Sequence, residues 1–365
     1  MAGPKHAHNP WWTMAFPLLA AALVIAYFAG LVPKDQPLFF AIEAAILLGI
    51  VFSAVHHAEV VGNRVGEPFG SIILAVSVTI IEVGLIVALM LAADDGGPTI
   101  ARDTVYAAVM LVLTGLIGLC LVAGGHRHYE QTIKVTGTSS YLAVLGALSV
   151  SALILPNFTT STAGPTYSAA QLTAVALVSI MLYAAFMFVQ TVRHRDYFLA
   201  AADDVHAGDY EAPANRAAGV SLAFLLVSLA GVVLLAKMLA PALDELIGMA
   251  GLPPEFTGVV IAALVLAPES IAAVRASLAN RPQTAINLAL GSALASIALT
   301  IPVIAILGAF ADVQLALGVP PAKTVLLSLA LFVSAITLLP GRTTVLQGYV
   351  HLGLFIMFIV VAAVP

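Results

Sequence analysis

Apolar residues dominate the chain in eleven long runs, and most of its charged residues lie between them. Each run is close to the about 20 residues that an α-helix needs to cross a bilayer. The pattern predicts eleven membrane-spanning helices, over residues 12–32, 37–56, 70–92, 102–123, 138–156, 169–192, 217–238, 256–279, 283–310, 321–339 and 345–364. The predicted fold class is therefore an all-α polytopic membrane protein, with no room left for a soluble domain.

Composition agrees with this interpretation and excludes several functions. Hydrophobic residues make up 61% of the 365 residues and charged residues only 9%, far from the average of soluble domains. The single cysteine, Cys120, excludes disulfides and cysteine-rich metal or cluster sites. A net charge of −5, thinly spread, does not favour nucleic acid as a partner.

Lysine and arginine are unevenly distributed over the polar segments. If the N-terminus is cytoplasmic, ten fall on the cytoplasmic side: Lys5, Arg64, Arg127, Lys134, Arg193, Arg195, Arg216, Arg275, Arg281 and Arg342. The opposite side keeps Lys34, Arg102, Lys237 and Lys323. The positive-inside rule then predicts a cytoplasmic N-terminus and an external C-terminus. The first run is too long for a signal-peptide core, so residues 1–36 are interpreted as a tail and a retained helix.

An internal repeat divides the remaining chain. EVVGNRVGEPFGSIILAVSVTIIEVGLI aligns with ELIGMAGLPPEFTGVVIAALVLAPESIAA, so that Phe69 matches Phe256 and Glu82 matches Glu269, both 187 residues apart. The repeats are residues 37–192 and 217–365, joined by a polar segment, 193–216, with an acidic centre. That segment is interpreted as a solvated cytoplasmic linker; the alternative is a cation lure or regulatory helix. Five helices per repeat is an odd number, so the two repeats must have inverted topology.

Glu82 and Glu269 are the principal candidate site residues, for cation, metal and proton binding. Inverted repeats of transporters place their sites near the bilayer midplane, and each glutamate lies near the middle of a predicted span. An ionised side chain there is costly unless it is compensated, and burial favours a protonated carboxyl group. Two such groups could hold protons when no cation is present and release them when one arrives. The alternative for each glutamate is a structural hydrogen bond between helices.

Further oxygen ligands are predicted on the same helices. Pro268 has no N–H, so the carbonyl of Leu264 loses its intrahelical partner and becomes available to a cation. Carboxylate and carbonyl oxygens suit hard cations such as calcium. The remaining candidates are Thr79, one turn before Glu82, and, in the helix after Glu269, Asn287, Ser292 and Ser296, with Thr114 and Gly115 as counterparts in the first repeat. Tight packing through small residues is the alternative for that later helix.

A second group of residues is predicted near the two entrances. His56 and His57 could sense pH or pass protons, because the unperturbed pKa of histidine is near 6.5. The carboxylates of this group could attract cations: Glu59, Glu67, Glu245 and Glu255. Ordinary interfacial solvation is the alternative for all six side chains.

The segments GEPFGSIILAVSVTIIE, FTGVVIAALVLAPESIAAVRASLAN and INLALGSALASIALTIP resemble the calcium/cation antiporter superfamily, and most closely its bacterial ChaA-type calcium/proton antiporters. This resemblance, over nearly the whole chain, implies that Glu82 and Glu269 bind cation and proton in turn, with helices of both repeats moving to alternate access. It also implies a bacterial inner membrane and exchange of sodium or potassium as well as calcium.

The chain departs from that family where many calcium/proton exchangers carry Gly-Asn-Ala before each glutamate. Val78 and Val265 replace the glycines, and Thr79 and Leu266 replace the asparagines. Two amide ligands are therefore missing, which predicts a site with weaker preference for calcium.

The function predicted from the sequence is secondary active exchange of cytoplasmic cations for protons. A passive cation channel and a sodium-coupled exchanger are the alternatives. An enzyme is not expected, because HExxH, GxSxG and a paired cysteine nucleophile are absent, as is a P-loop for ATP. The expected partners are cations, protons and the lipid bilayer, without a cofactor or nucleic acid. The sequence leaves the cation, the stoichiometry and the oligomeric state open.

Overall fold

The computed structural model describes residues 9–32, 36–66, 69–92, 97–198, 213–311 and 313–365. Within these ranges, eleven helical stretches are long and apolar enough to cross a membrane, which confirms the predicted number of spans. The helices are α1 Trp11–Phe28, α2 Pro37–Val65, α3 Phe69–Ala92, α4 Ile100–Met110, α5 Ile117–His128, α6 Val135–Ser149, α7 Ala169–Phe188, α8 Asn215–Met249, α9 Phe256–Leu278, α10 Pro282–Ala311, α11 Pro321–Leu338 and α12 Val345–Ala363.

Two of these helices extend well beyond their predicted ends. The expected limits were residues 56 and 238, where polar residues begin, but α2 continues to Val65 and α8 to Met249. Polar side chains do not interrupt a helix, because its backbone hydrogen bonds are internal. Glycine ends α2 instead: Gly66 follows α2 with φ of 79°, and Gly251 lies two residues past α8 with φ of 68°. Both backbone conformations favour glycine at a helix C-terminus.

One membrane span is built from two α-helices joined without a break. A π-helical turn, Leu111–Leu116, connects α4 to α5, so that residues 100–128 form one continuous span. Shorter irregular turns end α6 and α7, namely the π-turns Val150–Ile154 and Val189–Arg193 and the 3₁₀ turns Leu155–Phe158 and Arg195–Tyr197. Single π-turns within helices are uncommon and are often found at functional sites.

The chain forms two compact units, and each contains helices from both sequence repeats. The first comprises residues 1–94 and 205–246; the second comprises residues 95–204 and 247–365. In the first unit α2 packs against α1 and α3, and Gly231 of α8 lies against Ile50 of α2. In the second unit, the span formed by α4 and α5 lies against α9 and α12, while α10 packs against α6, α7 and α9.

The core of the second unit lies along the span that contains the π-turn. Several of its large side chains are fully buried: Met110, Leu113, Ile117, Leu145, Leu148 and Leu153. Burial of such side chains contributes roughly 1.5–3 kcal/mol each in water. Inside a bilayer the corresponding stabilisation comes mainly from close packing between helices.

A small antiparallel sheet was missed by the prediction from sequence. Strands β1 Glu130–Thr132 and β2 Arg342–Thr344 pair Gln131 with Thr343, between α5 and α6 and between α11 and α12. On the other side of the second unit, Thr166 pairs with Ala316, whose N–H donates to the carbonyl of Pro98. The loops after spans 4 and 10 thus meet each other, and those after spans 3, 5 and 9 meet each other. When successive spans cross the membrane in opposite directions, the loops after even-numbered spans lie on one side and those after odd-numbered spans on the other. The observed loop contacts follow this rule.

Candidate functional site

Glu82 lies in the first unit, near the middle of α3, and only 2% of its surface is exposed. Thr79 lies one turn earlier and is also buried, and its hydroxyl donates to the carbonyl of Ala75 at 2.9 Å. That donation leaves the lone pairs of the threonine oxygen available. The segment therefore offers one buried carboxylate and one hydroxyl oxygen on adjacent turns of a helix.

Glu269 lies in the second unit on α9 and is half-buried, with one carboxylate oxygen inaccessible to solvent. Pro268 lies inside α9, but the helix continues as an α-helix from Phe256 to Leu278. The missing proline N–H leaves the carbonyl of Leu264 without its usual donor, while the neighbouring backbone keeps its helical geometry. One backbone hydrogen bond is thus lost inside a continuous helix.

The two glutamates occupy the same place in their respective helices. Helix α3 begins at Phe69 and α9 begins at Phe256, so each glutamate is the fourteenth residue of its helix. A glycine with positive φ precedes each helix, Gly66 in one repeat and Gly251 in the other. The correspondence found in the sequence therefore extends to local structure.

The helix after Glu269 brings the predicted serines to the depth of the carboxylate. A short turn at Asn280, with φ of 57°, joins α9 to α10, and the two helices pack against each other. Glu269 and Ser292 are nearly equidistant from this turn, and Ser296 lies four residues, about 6 Å, further along α10. Ser292 is half-buried and Ser296 is buried. Both remain candidate oxygen ligands.

Asn287 is engaged in a different network near the start of α10. Its amide nitrogen donates to the carbonyl of Phe198 at 2.6 Å, and its amide oxygen accepts from Gln283 at 2.8 Å. Gln283 in turn accepts from the backbone N–H of Lys134 at 2.6 Å. These bonds connect α10 to the segments that follow α7 and precede α6, so the role of Asn287 as a cation ligand stays a prediction.

The π-turn lies beside Glu269 within the second unit. Gly258 of α9 packs on the backbone of Asp103 in α4, since an added Cβ would lie 2.8 Å from the Asp103 carbonyl carbon. Near the other end of α9, Ser277 donates to the carbonyl of Cys120 in α5 at 2.6 Å. The two spans thus run parallel with an offset of 155 to 157 residues, which places Leu113 level with residues 268–270.

A cavity of about 300 Å³ lies along the same level of the second unit. Its walls are mostly apolar and include Leu111, Gly115, Leu266, Ala267, Ser270 and Phe355. Thr114, within the π-turn, is buried, and its hydroxyl donates to the carbonyl of Met110 at 2.5 Å. Thr114 and Gly115, predicted as counterparts of the α10 residues, thus belong to an irregular turn beside the helix that carries Glu269.

His56 and His57 pack against the start of the chain in the first unit. His57 is fully buried, contacts the carbonyl of Thr13 at 3.0 Å and stacks on Phe224 of α8. His56 is partly buried and contacts the amide oxygen of Asn9 at 3.3 Å. The pair thus holds α1 and α8 on α2, and its predicted role in pH sensing stays a prediction.

The four predicted entrance carboxylates differ in their surroundings. Glu59 and Glu245 are exposed, and they lie inside the extended helices α2 and α8 rather than beyond their ends. Glu67 lies outside the described residues. Glu255 accepts from Lys323 at 2.9 Å, and Lys323 also donates to Asp103 at 3.1 Å.

Glu255, itself partly exposed, therefore belongs to a network of four charges whose other three members are buried, and this network was missed by the prediction from sequence. Arg102 donates twice to Asp103, at 3.1 and 3.0 Å, and once to the carbonyl of Gly318 at 3.3 Å. Lys323 and Asp103 are 5% and 4% exposed, respectively. The signal was available in the sequence, because three charges stand in the first turns of two predicted spans.

Comparison with known proteins assigns the chain to a class, the secondary transporters that exchange cations across a membrane. The chain matches the family described as sodium/calcium exchanger protein over residues 36–192 and 220–364, and it belongs to this family. Its function is transport by exchange, not enzymatic catalysis.

Particular relatives support this assignment. The chain is 48% identical over 365 residues to the putative ionic transporter y4hA of Sinorhizobium fredii, covering 99% of this chain and 98% of that protein. It is 37% identical over 355 residues to the sodium-potassium/proton antiporter ChaA of Escherichia coli, covering 95% and 94%. The fold resembles the crystal structure of the Ca²⁺/H⁺ antiporter protein YfkE, with a TM-score of 0.71 and 16% identity, over 96% of this chain and 100% of that one.

Proposed function

We propose that this protein exchanges cytoplasmic cations for protons by alternating access, and that Glu82 and Glu269 bind cation and proton in turn near the bilayer midplane. The observation that carries the proposal is their equivalent placement, since each is the fourteenth residue of a helix that follows a positive-φ glycine. That both carboxylates serve one shared site is a prediction of the inverted repeat.

Competition between protons and cations follows from burial of the carboxylates. A buried carboxylate is stable when a cation or a proton neutralises it, and it is costly when neither is present. Cation binding therefore releases protons, and protonation releases the cation. If the protein changes between its two access states only when the carboxylates are neutralised, the cation flux and the proton flux are coupled.

The neutral oxygens around the carboxylates favour a hard cation. We assign the remaining ligands to the hydroxyls of Thr79, Ser292 and Ser296, the carbonyl of Leu264 and, after release from Gln283, the amide of Asn287. Calcium prefers six to eight oxygen ligands, so a site without the two amides of many relatives is expected to accept sodium or potassium as well as calcium. The printed name of the ChaA relative, which includes sodium and potassium, supports that breadth.

The proposed setting is the bacterial inner membrane with a cytoplasmic N-terminus. Ten of the fourteen lysines and arginines then lie on the cytoplasmic side. An inward proton gradient would drive cations out of the cytoplasm. No bound cofactor or ATP is needed for this cycle.

Sodium-coupled exchange is a second candidate, because the family description includes sodium/calcium exchange. In that case sodium would replace the proton as the counter-ion at the same carboxylates. A passive channel would instead conduct cations without any coupled ion.

Everted membrane vesicles with an inside-acid proton gradient test these candidates. Calcium, sodium or potassium is added separately while the internal pH is recorded for the wild type, Glu82→Gln and Glu269→Gln. Glu130→Gln is the matched control, because Glu130 is exposed in β1 and forms its ion pair with Arg342, also exposed, at 3.5 Å. We expect at least one cation to raise the internal pH with the wild type and the control, and neither site variant to respond.

The other outcomes separate the alternatives. Calcium flux that depends on a sodium gradient and leaves the internal pH unchanged would indicate sodium-coupled exchange. Cation flux without either gradient would indicate a channel. Full proton exchange by both glutamine variants would refute the assignment of Glu82 and Glu269.

A further inference from the structure

His351 is a fully buried imidazole inside the last span that the transport site described above does not include. Its Nδ1 atom lies 2.6 Å from the carbonyl oxygen of Leu113, in the π-turn, and its Nε2 atom lies 3.1 Å from the hydroxyl of Thr337 in α11. One side chain of α12 thus connects the irregular span and α11 within the second unit.

The chemistry of the two partners determines the arrangement of protons. A carbonyl oxygen only accepts hydrogen bonds, so Nδ1 must carry a proton and donate to Leu113. In the neutral ring Nε2 is then the acceptor of a hydrogen bond that the Thr337 hydroxyl donates. Both ring nitrogens are satisfied, which a buried imidazole requires.

Close packing of glycines allows this short side chain to reach the π-turn. A Cβ added at Gly118 of α5 would lie 3.1 Å from the Cβ of His351. A Cβ added at Gly348 of α12 would lie 2.7 Å from Val122. Small residues at both positions let the two backbones approach closely, and the imidazole bridges the remaining distance to Leu113.

The bonded carbonyl lies at the depth of the proposed transport site. The parallel register of the two spans puts Leu113 level with residues 268–270, and the π-turn packs against both α9 and α10. A π-turn has weaker intrinsic stability than a regular helix and needs support from its surroundings. His351 supplies such support at the carbonyl next to Thr114.

We propose that His351 is a positioning residue for transport: its hydrogen bonds fix the π-turn to α12 and α11, and the position of the π-turn beside α9 in turn sets the affinity of the cation site at Glu269. This inference rests on the proposed function of Glu269. In this role His351 does not contact the transported cation or proton. It fixes the position of the π-turn, Leu111–Leu116, beside their proposed site.

The test compares two substitutions of His351 in everted vesicles, with the exchange rate measured against increasing CaCl₂, NaCl or KCl. His351→Leu fills the volume without a donor, whereas His351→Asn keeps a donor nitrogen at the δ position. Loss of one buried hydrogen bond predicts a roughly tenfold rise in apparent KM for His351→Leu, with a smaller change in maximal rate. His351→Asn is expected to stay within about threefold of the wild type.

His126→Asn is the matched control, because His126 also bonds α5 to α12, through the Tyr349 hydroxyl at 2.8 Å, but is exposed and lies far along the helix from the π-turn. Its KM is expected to equal that of the wild type. If His351→Leu fails to accumulate in the membrane, Thr337→Val replaces it, since loss of the hydroxyl frees the ring to rotate and is expected to raise KM about threefold.

The KM values of these variants test whether His351 positions the cation site. A wild-type KM for His351→Leu, or for Thr337→Val if that variant is used, would overturn the inference, as would equal defects in His351→Leu and His351→Asn. Glu269→Gln is measured in parallel to separate the two proposals. If Glu269→Gln still exchanges, the assignment of Glu269 to the site has failed; if it is inactive and KM is unchanged in the His351 series, only the positioning role has failed.

Discussion

The ammonium group of Lys323 lies between two carboxylates, Asp103 at 3.1 Å and Glu255 at 2.9 Å. Arg102 pairs with Asp103 at 3.0 Å, so the cluster contains two positive and two negative charges. These residues belong to α4, α11 and the turn before α9, and the cluster therefore joins the ends of three helices. Its Glu255 stands at the start of the helix that carries Glu269.

Removal of Lys323 should destabilise the second unit. Lys323→Met leaves Asp103 with a single cationic partner and Glu255 with the more distant Arg102, at 4.0 Å. Breaking a buried ion pair from one side costs about 3–5 kcal/mol, so we expect the midpoint of thermal unfolding to fall by at least roughly 5 °C. The measurement is the temperature dependence of the monodisperse fraction in detergent, by size-exclusion chromatography.

Lys237→Met provides the comparison, because Lys237 is exposed on α8. Exposed substitutions usually change stability by no more than about 0.5 kcal/mol. Equal midpoints for the two methionine variants would show that the four-charge network does not hold these helices together.

Candidate site residues were easiest to find in the sequence where the repeat supplied a second copy. Glu82 and Glu269 stand out because they occupy equivalent positions of a repeat. His351 has no such partner, and a single histidine in an apolar run looks like packing until its bonds to Leu113 and Thr337 are known. A lone ionisable residue inside a span was nevertheless a signal that deserved a hypothesis.

At the scale of helices, α2 and α3 meet through two glycines in the first unit. A Cβ at Gly62 would lie 2.8 Å from the carbonyl oxygen of Gly70, and one at Gly70 would lie 2.5 Å from that of Gly62. Backbone therefore contacts backbone, and neither helix has a flexible side chain there that could move aside.

Gly62→Ala should force α2 and α3 apart and displace the helix that carries Glu82. Overpacking of this kind costs about 1–3 kcal/mol, and we expect a lower unfolding midpoint together with a reduced exchange rate. The variant is compared with the wild type in both assays, after matching the amount of protein in the membrane.

The equivalent glycine of the second repeat is the control. Gly248 has open space around its Cβ position, so Gly248→Ala is expected to be neutral or slightly stabilising, since alanine favours a helix over glycine by roughly 1 kcal/mol. Equal losses in the two alanine variants would contradict the assigned contact and indicate a general sensitivity of these helix ends.

The helices were predictable because each must cross the bilayer with its backbone bonds satisfied, which demands a long apolar run. Their irregularities were not predictable. The π-turn contacts α12, which is distant in the sequence, through Leu113 and Gly115, and the three-residue strands are too short to show alternation. The ends of α2 and α8 were misplaced because polarity was taken as the limit, whereas glycine geometry sets it.

At the scale of the whole molecule, the contacts between loops of the second unit have a testable topological consequence. The β1–β2 pair requires the loops after spans 4 and 10 to share one side, and the bridge from Thr166 to Ala316 requires those after spans 5 and 9 to share the other. Together with the positive-inside rule, this predicts which side each loop faces.

Cysteine labelling checks that orientation. Tyr129→Cys, after span 4, should react with a membrane-impermeant maleimide only in everted vesicles, and Phe158→Cys, at the end of span 5, only in intact cells. Both side chains are well exposed, at 86% and 71%, whereas native Cys120 is buried and should remain unlabelled. Reversal of both patterns would invert the proposed orientation, and labelling of both from one side would contradict the alternation of spans.

The compact units could not be predicted from the repeat. Sequence similarity divides the chain at residues 193–216, whereas packing combines α1, α2, α3 and most of α8 in one unit and the remaining helices in the other. The repeats are defined by similarity between two parts of the sequence, whereas the compact units are defined by which helices pack together. The two divisions coincide only when each copy packs on itself.

The packing of α12 on α5 also imposes a waiting time during biosynthesis. Residues 129–344, 216 in all, are synthesised after α5 and before α12. At about 5–20 residues per second, the ribosome needs roughly 10–40 s to deliver them. During that interval Gly118 and the carbonyl of Leu113 lack the helix that will cover them, so the nascent irregular span must be shielded by lipid, by the translocon or by an insertase until the last helix enters the membrane.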